Sequence, residues 1–210
     1  MDGISRPDPV LEVFADVCCP FTHVGLRRLA DHRRRVGRSD VVLWVRAWPL
    51  ETVNGAPLDP EMIAEEVDAL RASVAPDLFG SFDPSMFPST SIPAMALAAA
   101  GYRRDARTGE AVSLELRDLL FEHARDISDP AILADVERRF MVRSDPRDVE
   151  SVRTDHADGR ERGVTGSPHF FTTHDSFFCP TLDITRDDDG HLKIAQDEAG
   201  FDRFMAVCFT

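Results

Sequence analysis

Cys19 and Thr22 stand three positions apart in the stretch Asp16-Val17-Cys18-Cys19-Pro20-Phe21-Thr22-His23. A thiol at the start of a helix suits nucleophilic sulfur chemistry. Free backbone N–H groups and the positive end of the helix dipole stabilise a thiolate and lower the cysteine pKa. Thr22 falls one helical turn later. Its hydroxyl can donate a hydrogen bond to the sulfur but cannot attack a mixed disulfide. The simplest chemistry is therefore monothiol: Cys19 takes up a thiol adduct from a disulfide, and an external thiol releases it. Two plainer readings stand beside this one. Cys19 is a buried packing residue, since free cysteine behaves as a small hydrophobe, or Thr22 merely fills space after a redox role was lost.

The other candidates are more widely spread. His23 either tunes Cys19 as a nearby cation and shuttles protons, or faces solvent or a domain interface. His169 carries the same alternatives. The Ser167-Pro168 bond is expected to be cis, because cis bonds are nearly confined to X–Pro and mark tight turns; the alternative is a trans-proline loop. Cys18 reads as a strand-end packing residue, since a disulfide to its neighbour would close a strained ring. A hairpin turning at His174-Asp175 would set Cys179 opposite Phe170. There it is either a distant resolving thiol for Cys19 or a buried strand cysteine. Cys208 fits the core face of a closing helix. Cys18, Cys19 and His23 lack a metal-ligand spacing, so no metal is expected.

The elements that position these residues follow from periodicity. Residues 10–17 form an apolar run and read as a buried strand. A helix over 20–36 follows, with proline tolerated in its first turn. Its last turn, His32-Arg33-Arg34-Arg35, complements the negative helix end as a solvated face. Residues 41–48 form a second strand, parallel to the first through a right-handed crossover. From 51 to 163 the pattern is helical, with Ile63, Val67, Leu70 and Val74 on one face. Residues 76–88 are irregular. Ser91 and Pro93 start a small-residue helix over 94–100 that Gly101 ends. Val112, Leu116, Leu119, Leu120 and His123 mark the next. Asp129-Pro130 and Asp145-Pro146 begin two more, the last stopping at Gly163. Then the period changes to strands over 169–173 and 176–181. Residues 182–196 are less regular, with a polar turn over 186–190 and a short edge strand over 191–195. Phe201, Phe204, Met205 and Cys208 recur at helical spacing.

Three motifs in order resemble the DsbA-like branch of the thioredoxin superfamily, and within it the FrnE-like group. They are Cys19-Pro20-Phe21-Thr22 after the first strand, Arg125-Asp126-Ile127-Ser128-Asp129 in the middle, and Gly163-Val164-Thr165-Gly166-Ser167-Pro168 downstream. The resemblance spans residues 10–207. It implies an α/β, thioredoxin-like fold, discontinuous over 10–50 and 163–208, with a helical insertion domain over 51–162. It implies a thiol–disulfide oxidoreductase with Cys19 and Thr22 as catalytic residues. Pro20, Phe21, His23, Ser167 and Pro168 would bind substrate, with the Ser167 backbone pairing an extended substrate beside a cis-proline. By analogy, residues 86–90 line the cleft between insertion and core. The family's second motif cysteine is Thr22 here, which places dithiol cycling within the motif in question.

The whole chain bounds the partners. It has 210 residues and a net charge of −13, which opposes binding to nucleic acid or anionic membrane. No apolar stretch reaches the ~20 residues that span a bilayer. The polar first nine residues do not read as a signal peptide, and four cysteines make no disulfide framework. A cytoplasmic protein with reduced thiols is expected. Its substrate would be a disulfide-containing protein or small molecule. No tightly bound cofactor is expected, and a low-molecular-weight thiol would serve as reductant or cosubstrate. Two alternatives remain open. Kappa-class glutathione transferases and hydroxychromene-carboxylate isomerases resemble this architecture and use a thiol cofactor. A thioredoxin-like module could also bind peptides without catalysis.

Overall fold

The computed structural model describes residues 10–172, 175–180, 182–186 and 192–209. Strand β1 (Val10–Ala15), helix α1 (Pro20–Arg35) and strand β2 (Val42–Ala47) form a parallel βαβ unit in which Val13 pairs with Val45. Strand β3 (His169–Phe171) runs antiparallel to β1, and β4 (Ser176–Phe178) antiparallel to β3. The sheet order is β2-β1-β3-β4. β1 is a near-continuous apolar run because both its faces are covered. Leu11, Val13 and Ala15 pack with Leu26, Leu29 and Phe204, while Phe14 packs on the other side with Trp48 and Val164.

Between β2 and β3 lie α2 (Leu50–Asn54), α3 (Pro60–Ser73), a 3-10 turn (Pro84–Met86), α4 (Ile92–Arg104), α5 (Ala106–Phe121), α6 (Pro130–Phe140) and α7 (Pro146–Glu161). Asp59, Asp129 and Asp145 each precede a proline, and each carboxylate accepts the backbone N–H two residues on. The proline needs no partner in that first turn, and the aspartate supplies the cap. Gly101 does not end α4, which runs on to Arg104. A Cβ at Gly101 would lie 3.0 Å from the Gly109 Cα, and one at Gly109 would lie 2.2 Å from the Tyr102 ring. Both glycines allow α4 and α5 to close on each other, a demand that the helical period cannot express. Among the described residues no helix is long and apolar enough to cross a membrane.

The outer edge of β2 is closed by side chains. Leu43 N donates to Glu110 Oε2 (2.9 Å), Val45 N to the Tyr102 hydroxyl (2.8 Å), and Ala47 N to Asp155 Oδ2 (3.0 Å). The Tyr102 hydroxyl donates in turn to the Leu43 carbonyl (2.8 Å). Glu110 also holds Arg33, which donates to the Val41 carbonyl (2.8 Å). The basic end of α1 is therefore partly a structural tie and not wholly a solvated face. Tyr102→Phe orphans one buried N–H and removes one partner of a buried carbonyl. An orphaned group costs about 1–3 kcal/mol, so a loss of about 2–4 kcal/mol is expected in urea unfolding. A change below about 0.5 kcal/mol would mean that water replaces the hydroxyl.

The C-terminal part departs from the sequence reading. Residues 182–186 are a regular strand, β5 (Leu182–Arg186), paired antiparallel with β6 (Leu192–Gln196) in a separate two-stranded sheet. The expected edge strand is thus half of a hairpin, and Ile184 and Ile194 pack into the cluster that contains Val67 and Leu70 of α3. The expected turn over 186–190 lies, after Arg186, outside the described residues, as do His191 and the polar lead-in 1–9. Helix α8 (Glu198–Phe209) closes the sheet face that α1 covers, with the Phe204 ring 4.8 Å from Phe170. Cys208 is half-buried against that face.

Candidate active site

Cys19 is the N-cap residue of α1, in extended backbone (φ −86°, ψ 116°), with Pro20 opening the helix. The position is the one the sequence predicts. Its environment is not. Cys19 is only 3% exposed and sits in the apolar cluster that holds Val17, Phe21 and Val24. Its Sγ lies 3.2 Å from the Ser167 carbonyl and donates to it. Burial pushes the Cys19 thiol up from its ordinary value. The hydroxyls of Thr22 and Ser167 and the Thr22 backbone N–H pull the other way, and the Glu66 carboxylate adds to the rise. The expected depressed pKa is therefore corrected. A helix start lowers a thiol pKa where water also reaches the sulfur, and here desolvation outweighs the helix end.

Ser167 ties the site together. Its Oγ accepts from Asp16 N (2.9 Å) and lies 2.8 Å from Thr22 Oγ1. The Ser167-Pro168 peptide bond is cis. The next carbonyl, that of Pro168, accepts from Cys179 N (3.0 Å). Cys19, Thr22, Ser167, Pro168 and Cys179 are thus brought together.

The register at Cys179 differs from the one expected. Phe170 pairs with Phe177, and Cys179 comes opposite the Pro168 end of β3. Thr172 N donates to the Asp175 carbonyl (2.9 Å) and closes the hairpin there. Against the expected register the pairs slide by two. His174, half of the expected turn, lies outside the described residues. Cys179 has a backbone φ of +42°, a region that L residues seldom adopt. Its thiol is pushed up to about 12, by burial first and then by the nearby Cys19 charge.

Beneath the turn lie a buried carboxyl and a buried guanidinium that sequence reasoning missed. Asp16 Oδ1 accepts from Cys18 N (2.8 Å), and Oδ2 from Leu50 N (2.6 Å) and the Ser91 hydroxyl (3.3 Å). Arg117 donates to the Asp16 carbonyl (3.1 Å) and to Ser113. Burial raises the Asp16 carboxyl to about 6 against the pull of these donors and of Arg117. The signal existed in both cases: a carboxylate closing an apolar run, and an arginine one turn after Ser113 on the core face of α5. Glu66, on α3, was also missed, and burial raises its carboxyl to about 7.

Other candidates go elsewhere. Phe21 is buried in the core cluster. His23 is buried between Phe79 and Phe121, with Nε2 2.6 Å from Glu122 Oε1. It faces the insertion, one residue past Thr22 and hence about 100° around the helix from it. Burial lowers its pKa, and the bond to Glu122 pulls the other way. Burial alone would raise Glu122, but the bonds from His23, Phe79 N and Gly80 N bring it down to about 2. His169 stacks on Phe171 and accepts from Thr165 N (3.2 Å), on the sheet face opposite Phe170. Cys18 is buried and its thiol pushed well up by burial and by Asp16. It borders a crevice lined by Glu51, Leu58, Phe87, Thr90 and Ser91. The 87–91 loop thus meets Cys18. All four cysteines are free. Among the described residues no three His, Cys, Asp or Glu side chains gather as metal ligands.

Residues 10–186 match the family model described as a DSBA-like thioredoxin domain. No curated protein matches the chain. Among solved structures, a 2-hydroxychromene-2-carboxylate isomerase is similar over 80% of this chain and 88% of its own, at 13% identity and a TM-score of 0.58. The cytosolic disulfide reductase DsbM from Pseudomonas aeruginosa is similar over 94% of this chain and 97% of its own, at 15% identity and a TM-score of 0.56. A linker-deleted ScsC from Proteus mirabilis is similar over 98% of this chain and 70% of its own, at 12% identity and a TM-score of 0.54. At these identities the likeness is one of fold.

Proposed function

The chain belongs to the DSBA-like thioredoxin domain family, and on that premise we propose that it is a thiol–disulfide oxidoreductase working through Cys19 in the reductive direction. The observation that carries this reading is the Cys19 thiol at the helix start, 3.2 Å from the carbonyl that precedes Pro168. A thiol whose thiolate is strongly stabilised makes a strong oxidant, because its reduced form is favoured. Burial here removes that stabilisation. The pair formed with a substrate is then poised to give electrons, which agrees with the expectation of a cytoplasmic protein with reduced thiols. Similarity to a cytosolic disulfide reductase supports the same direction. A low-molecular-weight thiol is the proposed reductant; one solved structure of DsbM, similar to this chain at 16% identity, was obtained with glutathione.

In this reading Thr22 does not resolve an adduct. It stabilises the Cys19 thiolate as it forms. A hydrogen bond to a charged group is worth about 1.5–3 kcal/mol, or about one to two pKa units. Thr22→Ala is therefore expected to raise the Cys19 pKa and to slow its alkylation at pH 8 about tenfold or more, while Thr22→Ser restores it. Superposable pH profiles for wild type and Thr22→Ala would remove Thr22 from the chemistry.

One observation favours a second reading. Cys19 is a hydrogen-bond donor to Ser167 O, so the resting group is a thiol and not a thiolate. An enzyme of the isomerase type would bind a small thiol there without net redox turnover. Reduction of hydroxyethyl disulfide at the expense of glutathione separates the two. Turnover supports the reductase, and saturable glutathione binding without turnover replaces it.

A further inference from the structure

Cys179 stands out among the groups that this mechanism leaves unused. Two successive carbonyls of one dipeptide hold the two sulfur-bearing residues: Ser167 O accepts the Cys19 thiol at 3.2 Å, and Pro168 O accepts the Cys179 backbone N–H at 3.0 Å. Both side chains are buried in the same apolar cluster. The second observation is independent. Cys179 has φ +42°, and Pro180 follows it. A proline restricts the residue before it towards extended backbone, so this conformation is disfavoured twice. Such outliers persist where the surroundings over-determine them, and they cluster at functional sites. Here the bond to Pro168 O and that from Leu182 N to Cys179 O (3.2 Å) hold the residue in place.

We propose that Cys179 is the resolving thiol of Cys19, so that the redox pair is formed across the sheet end instead of within the helix-start motif. The proposal rests on the reductase reading and deepens it. In the first step the Cys19 thiolate attacks one sulfur of a substrate disulfide. A bond forms between Cys19 Sγ and that sulfur, and the other half leaves as a thiolate. In the second step Cys179 attacks Cys19 Sγ. The Cys19–Cys179 bond forms, the mixed disulfide breaks, and the second substrate half leaves as a thiolate that takes up the Cys179 proton. The substrate disulfide gains two electrons, and the two cysteines lose them. Two equivalents of a low-molecular-weight thiol then reduce the Cys19–Cys179 bond and become a disulfide themselves.

The test uses the full chain, exposed to hydroxyethyl disulfide, quenched in acid, alkylated and mapped by mass spectrometry after proteolysis. Wild type is expected to give a Cys19–Cys179 cross-linked peptide and little persistent adduct. Cys179→Ser and Cys179→Ala are expected to keep a hydroxyethylthio adduct on Cys19, at a level at least tenfold above wild type. The wild-type cross-link can be read even where a variant folds poorly. Equal persistent adduct on Cys19 in wild type and variants, with no cross-link, overturns the resolving role and leaves the reductase reading standing. A cross-link from Cys19 to Cys18 or Cys208 also overturns it. Absence of any adduct on Cys19 in all three proteins overturns both readings.

Discussion

Cys19→Ser is expected to abolish disulfide reduction while the fold survives. The serine hydroxyl can still donate to the Ser167 carbonyl, as the Cys19 thiol does at 3.2 Å. The substitution is nearly isosteric, so no large cavity is left. Urea unfolding should change by about 1 kcal/mol, the net scale of one hydrogen bond. The activity should fall by at least about a thousandfold, because a serine hydroxyl at neutral pH supplies no sulfur nucleophile and forms no mixed disulfide. The assay is turnover of hydroxyethyl disulfide with glutathione as reductant. A folded Cys19→Ser protein that keeps a tenth of the wild-type rate would place the chemistry on another cysteine.

The largest stability effect is expected at Asp16. Its carboxylate satisfies Cys18 N, Leu50 N and the Ser91 hydroxyl, and it lies beside the buried Arg117 guanidinium. Asp16→Ala orphans the Cys18 and Leu50 N–H groups and removes one partner of the Ser91 hydroxyl. An orphaned buried group costs about 1–3 kcal/mol, so a loss of about 3–5 kcal/mol is expected. The turn that carries Cys19 is held by the same carboxylate, so the loss of stability should come with loss of activity. The pH dependence identifies the cause. The Asp16 pKa is about 6 in the folded chain against an ordinary value of 3.8, so folding takes up a proton between these values. The stability that this proton confers is fully present below pH 3.8 and is lost as pH rises through about 6. Two units correspond to about 3 kcal/mol. The deficit of Asp16→Ala relative to wild type should therefore widen by up to that amount between pH 7 and pH 4. A deficit that is flat with pH would mean that the Asp16 carboxyl keeps its ordinary pKa in the folded chain.

Most of the scaffold was legible because the chain marks it with local signals. The apolar run of β1, the Asp-Pro helix starts and the period change after Pro168 need only near neighbours. So does the proposed nucleophile, where strand, cysteine and proline coincide. What escaped depends on contacts between distant segments. Gly101 looks like a helix stop until Gly109 is placed against it. Cys19 looks activated until the apolar cluster that covers it is assembled. Arg117 and Asp16 are 101 positions apart, and no local pattern announces that pairing. His23 follows the motif in sequence, yet the helical turn carries it to Glu122. The hairpin register slid because Thr172 closes the turn with Asp175.

The sealing of β2 has a consequence for self-association. Glu110, Tyr102 and Asp155 occupy the donors and the acceptor that a neighbouring strand would need. Among the described residues β4 is the other terminal strand, with no further strand beside it. An exposed edge is a template for strand addition from another molecule. In the four-stranded sheet it exists on one side only. Two copies joined through β4 would present a sealed β2 at each outer boundary, and a third would find no ladder to extend. Association through this four-stranded sheet therefore terminates at a pair. Extension of the same sheet beyond a pair would first require the Tyr102 and Glu110 seal to be broken.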